Sequence, residues 1–321
     1  MKAIQFMQYG SPDILQFQDI EIPTPKDNQV LIKVHAASAN PLDWHTMRGE
    51  PFLARLEFGW QTPKDPRLGA DVAGTVEAVG KDVTQFKVGD EVFGDIFKGS
   101  FAEYACTRED LLALKPANLS FEAAAAVPVA AFTALQGLRD AGKIQSGQKV
   151  LINGASGGVG TFAVQVAKSY GAEVTGVCST RNLDLVRSIG ADHVIDYTKE
   201  DFTKNGQQYD LIFDAVGNLT VFTAQRALSP NGRCVVAGFT KLSILFQIIF
   251  LGGLVSKMGS KKIGLMETAK ADQKDLLYLK ELLEAGKIVP VIDRAYPLRE
   301  TPEAIRYLET SRARGKVVIM V

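Results

Sequence analysis

Apolar and polar positions follow two different patterns along the chain. As far as about residue 116, short alternating runs lie between Gly, Pro and Asp turns and predict β-strands. These runs are 30–35, 74–80, 90–93 and 101–107. Beyond them, short apolar runs predict buried strands, and stretches with helical spacing separate one run from the next. These runs are 150–152, 174–177, 193–195, 211–213 and 233–236. Such alternation of strands and helices is typical of a doubly wound parallel sheet.

A change in composition marks the border between the two patterns. Alanine-rich helical stretches at 121–126 and 130–138 place a domain boundary near Ala126. The end of the chain adds helices at 273–285 and 302–310 and a final strand at 316–321, which we expect to rejoin the first part. We therefore predict a β-rich domain formed by residues 1–126 and 286–321, and an α/β domain formed by residues 127–285.

A glycine-rich turn joins the first α/β strand to its helix. Gly154, Gly157 and Gly160 are three residues apart and follow the strand at 150–152. This spacing allows a tight turn, lets the backbone approach a pyrophosphate, and places a helix N-terminus against the anion. We therefore predict a dinucleotide-binding (Rossmann) fold whose loop contacts are Ser156, Gly157, Gly158 and Val159. The apolar spacing of the helix that follows leaves Gln165 on the solvent side.

The residues after the second α/β strand indicate which dinucleotide binds. A fold that prefers NAD usually places Asp or Glu there to hold the ribose 2′-hydroxyl. This chain has Ser179, Thr180 and Arg181, whose hydroxyls and guanidinium suit a 2′-phosphate. The first acid, Asp184, falls inside the next predicted helix. We therefore predict NADPH as the cofactor; the alternative is that Arg181 is a solvated surface charge.

The charge balance and the cysteine content indicate which partners and which cellular compartment to expect. The 321 residues include 36 basic and 36 acidic side chains, a balance that argues against a general binder of nucleic acid or anionic membranes. The three cysteines, Cys106, Cys178 and Cys234, are widely separated, as expected in a reducing compartment. The N-terminus lacks the pattern of a signal peptide, so we expect a cytoplasmic protein.

The most apolar stretch of the chain lies at residues 243–255. It is too short to cross a bilayer as a helix. A core helix or a subunit-interface helix is the favoured interpretation. The alternative is a peripheral membrane contact in which Lys257, Lys261 and Lys262 meet anionic headgroups.

Several motifs together resemble a known superfamily. The β-rich first part precedes Gly-Ala-Ser-Gly-Gly-Val-Gly at 154–160, Val-Ile-Asp-Tyr at 194–197 and Arg-Gly-Lys-Val-Val-Ile at 314–319. Nearly the whole chain thus resembles the medium-chain dehydrogenase/reductase superfamily, in its zinc-independent quinone oxidoreductase and enone reductase branch. The resemblance implies a GroES-like catalytic domain beside the Rossmann domain, a reaction in the cleft between them, and a homodimer.

The resemblance also indicates where zinc ligands would stand in this chain. Zinc-dependent members have a Cys where Asn40 stands, Gly-His-Glu where residues 69–71 stand, and another Cys near residues 129–131. This chain has no thiol or imidazole at these positions, whereas a catalytic zinc needs three such ligands and an open position. We therefore expect no metal, and we favour conjugate reduction over alcohol dehydrogenation, because NADPH can deliver hydride to an activated alkene or a quinone without a Lewis acid.

Roles for individual residues follow from the same resemblance. Asn40 would donate to a substrate carbonyl, and the Thr133 hydroxyl would reach the cofactor near the nicotinamide. The alternatives are a turn amide and a helix hydroxyl bonded to its own backbone. Tyr197 would pack beside the 2′-phosphate, and Arg312 and Lys316 would approach the cofactor.

Two further groups of residues complete the predicted site. The carboxyl ends of two strands bring cofactor contacts at Val216, Gly238 and Phe239. An apolar substrate pocket would be lined by Trp44, Phe52 and Trp60, which could equally be ordinary packing.

The favoured function is an NADPH-dependent reductase of small apolar quinones or α,β-unsaturated ketones and aldehydes. Two alternatives stay open. One is an enoyl-thioester reductase, and the other is a non-catalytic NADPH-binding or membrane-surface regulatory protein, because a fold alone does not establish an activity.

Overall fold

The computed structural model describes all 321 residues except the side chain of Glu57. Its strands are β1 (Lys2–Gln5), β2 (Gln16–Asp19), β3 (Gln29–Ala39), β4 (Asp71–Val79), β5 (Glu91–Asp95), β6 (Tyr104–Arg108), β7 (Leu112–Leu114), β8 (Lys149–Asn153), β9 (Glu173–Cys178), β10 (His193–Asp196), β11 (Tyr209–Asp214), β12 (Leu228–Val236), β13 (Lys262–Leu265), β14 (Ile292–Pro297) and β15 (Lys316–Met320). Its α-helices are α1 (Pro41–Arg48), α2 (Arg55–Phe58), α3 (Phe121–Ala125), α4 (Pro128–Gln136), α5 (Gly158–Ser169), α6 (Leu183–Ser188), α7 (Val221–Ala227), α8 (Leu242–Gln247), α9 (Gly253–Met258), α10 (Gln273–Glu284) and α11 (Thr301–Glu309).

The first of two compact units contains residues 1–129, 271–284 and 290–321. Its main sheet has the strand order β14-β15-β3-β4-β5-β7, and β6 pairs with β3. The last strand, β15, runs antiparallel to β3 and pairs Val317 with Ala39. The end of the chain is therefore part of the same sheet as β3.

The second unit contains residues 130–270 and 285–289. Its sheet is parallel and has the order β10-β9-β8-β11-β12-β13. The chain moves outward from β8 to β10 and then resumes on the other side of β8 at β11, which is the order of a doubly wound dinucleotide fold. The predicted fold class is confirmed, and the strand order reverses between β8 and β11, where such sheets bind their ligands.

One helix belongs to a different unit from the one that the sequence indicates. The predicted boundaries place α10 in the α/β domain, whereas the structure groups it with the first unit. Gln273 Nε2 donates to the carbonyl of Leu112 at 2.9 Å, and Asn118 Nδ2 donates to the carbonyl of Leu283 at 3.1 Å. These amide contacts fasten both ends of α10 to the first unit.

The prediction that Gln165 faces solvent is wrong. Its side chain is buried and pairs with the main chain of Val289, which belongs to the same unit. Gln165 Oε1 accepts from the Val289 N–H at 2.8 Å, and Nε2 donates to the Val289 carbonyl at 2.9 Å. A paired amide of this kind satisfies the main chain of Val289, so a polar residue is tolerated in the interior.

The apolar stretch forms a continuous helical segment, which we call the apolar helix: α8, a π-helical turn (Ile248–Gly252) and α9. Ile248 is buried in the core of the second unit, and Ile244 and Val255 pack against that core. The other side exposes Phe246, Phe250 and Met258 at 52%, 69% and 81%. Among the described residues, no helix has the length and apolar character that spanning a bilayer requires.

Candidate active site

The glycine loop lies between the end of β8 and the start of α5. Gly154 has φ +84°, in the left-handed region that favours glycine. A Cβ on Gly160 would lie 2.0 Å from the carbonyl oxygen of Gly154, so only glycine permits this approach of helix to loop. Gly157 caps α5, whose first N–H groups lack intrahelical acceptors and can bind an anion.

Asp214, at the carboxyl end of β11, organises the neighbouring loop. This buried carboxylate accepts from Asn153 Nδ2 at 2.8 Å, from the Gly217 N–H at 2.9 Å and from the Leu219 N–H at 3.1 Å. Burial raises its pKa, although these hydrogen bonds act in the opposite direction. Asp214 is not among the predicted site residues; the signal for it is an acidic residue directly after the apolar run 211–213.

The end of β9 presents the three residues that were predicted to select NADPH. Ser179 is half-buried, and Thr180 and Arg181 are exposed. Thr180 Oγ1 donates to Asp196 Oδ2 at 2.5 Å, so its proton is already used within the protein. Tyr197, next to that carboxylate, is 62% exposed. The hydroxyl of Ser179, the guanidinium of Arg181 and the ring of Tyr197 therefore fit the predicted recognition of a phosphate better than Thr180 does.

Asn182 joins the glycine loop to the end of β9. Its side chain is buried, and Nδ2 donates to Ser156 Oγ at 2.9 Å and to Ser179 Oγ at 3.3 Å. Its Oδ1 is buried without a hydrogen-bond partner among the described residues. Asn182 is not among the predicted site residues, because it belongs to no motif in the sequence.

The remaining predicted cofactor residues lie in several elements. Thr133 is half-buried on α4, and Val216 lies beside Gly154 in the loop after β11. Gly238 and Phe239 follow β12, where the Gly238 carbonyl lies so close to Gly217 that a Cβ there would approach it to 2.1 Å. Arg312 is exposed between α11 and β15, in the first unit.

A buried polar cluster occupies the first unit where β3, β4 and β15 meet. Asp71 Oδ2 accepts from Ser38 Oγ at 2.5 Å, from Asn40 Nδ2 at 2.8 Å and from Lys316 Nζ at 3.2 Å. Its Oδ1 accepts from the Val129 N–H at 2.8 Å. Asp71 is 0% exposed and Lys316 is 3% exposed, so this ion pair is shielded from water.

The cluster revises the predicted roles of Asn40 and Lys316. Asn40 Nδ2 donates to Asp71 and to the Ser38 carbonyl, and Asn40 Oδ1 accepts from Lys316 Nζ at 2.5 Å. Both amide hydrogens are therefore used, and in this arrangement none is left for a substrate carbonyl. Lys316 was predicted to approach the cofactor, but its ammonium is buried and serves Asn40 and Asp71 instead.

Two more buried carboxyls lie near the cluster. Asp43 accepts from the N–H groups of Asn40 at 2.7 Å and Gly69 at 2.9 Å. Burial raises the pKa of Asp43 to about 7. Burial, reinforced by the charge of Asp71, raises the pKa of Asp95 to about 6.

The three predicted substrate-pocket residues have different environments. Phe52 and Trp60 are 53% and 55% exposed and meet edge to face, with ring centroids 4.9 Å apart. Arg55 lies 5.3 Å from the Phe52 ring centroid. Trp44 instead packs against the core and stacks on His45 at 3.6 Å. Phe52 and Trp60 thus form an exposed aromatic surface, whereas Trp44 has the environment of a packing residue.

Comparisons with known proteins place the chain in a family. Residues 26–117 match the model of the alcohol dehydrogenase GroES-like domain, and residues 189–319 match a model described as zinc-binding dehydrogenase. A 2-methylene-furan-3-one reductase from Solanum lycopersicum is 39% identical and covers 99% of this chain and 79% of its own length. The chain belongs to the medium-chain dehydrogenase/reductase superfamily, in its zinc-independent quinone and enone reductase branch.

Two further proteins are similar to this chain over almost its entire length. A chloroplastic NADPH-dependent alkenal/one oxidoreductase from Arabidopsis thaliana is 37% identical over 99% of this chain and 79% of its own. The structure of a quinone oxidoreductase from Coxiella burnetii superposes with a TM-score of 0.86 at 34% identity, covering 100% of this chain and 99% of the other.

Although one matching model is described as zinc-binding, the residues present do not fit zinc. At the predicted ligand positions of zinc-dependent members, Asn40 is an amide, residues 69–71 are Gly-Ala-Asp and residues 129–131 are Val-Ala-Ala, so none supplies a thiol or an imidazole. The Lys316 ammonium lies among them, bonded to Asn40 and Asp71. Among the described residues, no group of three His, Cys, Asp or Glu side chains is arranged to hold a metal ion.

Proposed function

We propose that the protein is an NADPH-dependent, zinc-independent oxidoreductase that reduces quinones or the C=C bond of α,β-unsaturated ketones and aldehydes. The observation that carries this proposal is the pairing of the glycine loop with a β9 end that has Ser179 and Arg181 in place of an acid. The names of the relatives support it, since they describe reductases of alkenals, furanones and quinones.

The residues of the second unit fit this cofactor. The start of α5 would hold the pyrophosphate through the N–H groups of Gly158 and Val159. Ser179, Arg181 and Tyr197 would hold the 2′-phosphate, because a guanidinium and a hydroxyl both donate to its oxygens. When bound, NADPH supplies the hydride.

The reduced substrate gains negative charge on its oxygen, and the protein must stabilise that charge. Hydrogen-bond donors and a proton source are sufficient for an enolate or a hydroquinone anion. The exposed aromatic surface of Phe52 and Trp60 suits a small apolar substrate. In this proposal Asn40 acts within the buried cluster, where its amide is fixed by Asp71 and Lys316.

The decisive experiment is an assay of NADPH and NADH oxidation in the presence of a chelator. The substrates are a short-chain enone, a long-chain alkenal, a benzoquinone and a crotonyl thioester. We expect turnover of the enone, the alkenal or the quinone with NADPH. Turnover of the thioester alone would identify an enoyl-thioester reductase instead, and NADPH binding without any turnover would favour a regulatory protein.

We extend the proposal to a cytoplasmic homodimer that uses the exposed side of the apolar helix. This side carries Phe246 and Phe250, which are 52% and 69% exposed, and the segment lies beside β13, the edge strand of the parallel sheet. Lys261 donates to the Gln225 carbonyl at 2.7 Å and Lys262 to the Ser256 carbonyl at 2.5 Å, contacts that disfavour a role at lipid headgroups.

Light scattering coupled to size-exclusion chromatography tests the dimer. We expect a dimer mass for the wild type and a monomer mass for Phe250→Asp. Leu114→Asp, on an exposed position of the first unit, is the matched control and should stay dimeric. A monomeric wild type that co-sediments with anionic vesicles, and loses this binding in Phe250→Asp, would contradict the proposal and support membrane contact.

A further inference from the structure

Asn182 lies between two serines that come from different parts of the second unit. Ser156 belongs to the glycine loop, and Ser179 follows β9. Asn182 is the last residue of a short 3₁₀ turn (Thr180–Asn182) and is 5% exposed. Its two amide hydrogens go to Ser156 Oγ at 2.9 Å and to Ser179 Oγ at 3.3 Å. One buried amide therefore holds both serine hydroxyls.

The direction of these hydrogen bonds decides what the serines can offer to a ligand. A hydroxyl has one hydrogen, and an oxygen that accepts from an amide N–H is free to direct this hydrogen elsewhere. With Asn182 in this orientation, Ser156 and Ser179 can both act as donors. A phosphate oxygen only accepts, whereas a ribose hydroxyl both donates and accepts, so two donors favour the phosphate. Thr180 differs, because its hydrogen already goes to Asp196.

The amide orientation leaves one buried oxygen unpaired. Asn182 Oδ1 has no hydrogen-bond partner among the described residues. If the amide turned over, Oδ1 could accept from both serine hydroxyls, but their hydrogens would then be withdrawn from the ligand. An unpaired buried acceptor is unfavourable in the protein alone, and such atoms in native structures call for an explanation. In the observed orientation both hydroxyl hydrogens stay available to a ligand.

We propose that Asn182 is a positioning residue that directs the hydroxyls of Ser156 and Ser179 toward the 2′-phosphate of NADPH and thereby favours NADPH over NADH. The inference rests on the proposed cofactor, and it adds a residue that acts through the two serines without needing to touch the cofactor. It also predicts that replacing the amide donor by an acceptor weakens the preference for NADPH.

Asn182→Asp replaces the amide donor by a carboxylate acceptor with almost no change in shape. A carboxylate only accepts, so it would take the hydrogens of Ser156 and Ser179 and add a negative charge near the 2′-phosphate. We expect the ratio of the dissociation constants of NADH and NADPH to fall by about 10-fold to 100-fold, as for the loss of one or two charge-assisted hydrogen bonds. Asn182→Ala, which removes the amide without adding charge, should lower the ratio less.

The measurement is equilibrium binding, by calorimetry, of NADPH, NADH and the adenosine fragments with and without a 2′-phosphate. Binding of the fragments reports the phosphate site without any catalytic step. Thr180→Ala is the matched control and should change the ratio less than Asn182→Asp. Introducing Asn182→Asp into a Ser179→Ala protein should change the ratio less than introducing it into the wild type, because one of the two hydroxyls is already absent.

The possible failures are distinguishable. If the wild type binds neither NADPH nor the phosphorylated fragment, the proposed cofactor is wrong. If the wild type prefers both phosphorylated ligands and folded Asn182→Asp and Asn182→Ala keep that preference within about twofold, the inference about Asn182 is overturned. Thermal unfolding without ligand verifies that the variants are folded, and Asn182→Ala decides the question if Asn182→Asp does not fold.

Discussion

Replacing Lys316 by Met should destabilise the first unit strongly, because it leaves the Asp71 carboxylate buried without its ammonium. Asp71 is 0% exposed, and Lys316 Nζ lies 3.2 Å from its Oδ2. Removing one partner of a buried ion pair costs about 3–5 kcal/mol. Asp71 keeps its hydrogen bonds from Ser38, Asn40 and Val129, so we expect a loss of about 3 kcal/mol, at the lower end of this range.

Urea unfolding followed by tryptophan fluorescence measures this loss in the relevant unit, since Trp44 and Trp60 are the 2 tryptophans of the chain and both lie in the first unit. The double variant Asp71→Asn/Lys316→Met should recover part of the stability, because no charge is then left unpaired. Lys2→Met, which breaks the exposed pair with Asp19, is the control and should have a far smaller effect. A Lys316→Met protein with less than about 1 kcal/mol of destabilisation would refute the reasoning.

Three further predictions concern pH, packing and cofactor choice. Because burial raises the pKa of Asp43 from 3.8 to about 7, the folded state holds a proton that the unfolded state has released, and stability should fall as pH rises through this window. Asp43→Asn should reduce this slope, which is at most about 1.4 kcal/mol per pH unit for one group, in urea unfolding between pH of about 4 and 8. Gly160→Ala places a Cβ 2.0 Å from the Gly154 carbonyl oxygen and should lower both the melting temperature and NADPH affinity, whereas Gly253→Ala, with no neighbouring atom within 4 Å of its Cβ, should do neither. Arg181→Gln should weaken NADPH binding about 10-fold to 100-fold in calorimetry with little change for NADH, since only the 2′-phosphate is affected. Arg187→Gln, whose guanidinium pairs with Asp184, is its control, and an equal loss in both variants would contradict the assignment of Arg181.

The amino-acid sequence by itself determined the elements and the chemistry of the cofactor loop. Apolar periodicity located the strands of the parallel sheet, because a buried strand requires a continuous apolar run. The glycine spacing located the loop between β8 and α5, since a left-handed φ at Gly154 and the close approach at Gly160 exclude other residues there. The absence of an acid after β9 was also visible in the sequence. All of these signals are local.

Only the tertiary structure decided what the polar side chains do. Lys316 and Asn40 are 276 positions apart and meet because β15 pairs with β3. The spacing on its own helix places Gln165 toward solvent, but its amide is buried against the main chain of Val289. Asn182 has no motif, and its role depends on two serines that the fold brings to either side of it. Long-range pairing places these groups together, and a hydrogen bond depends on that placement rather than on the neighbours along the chain.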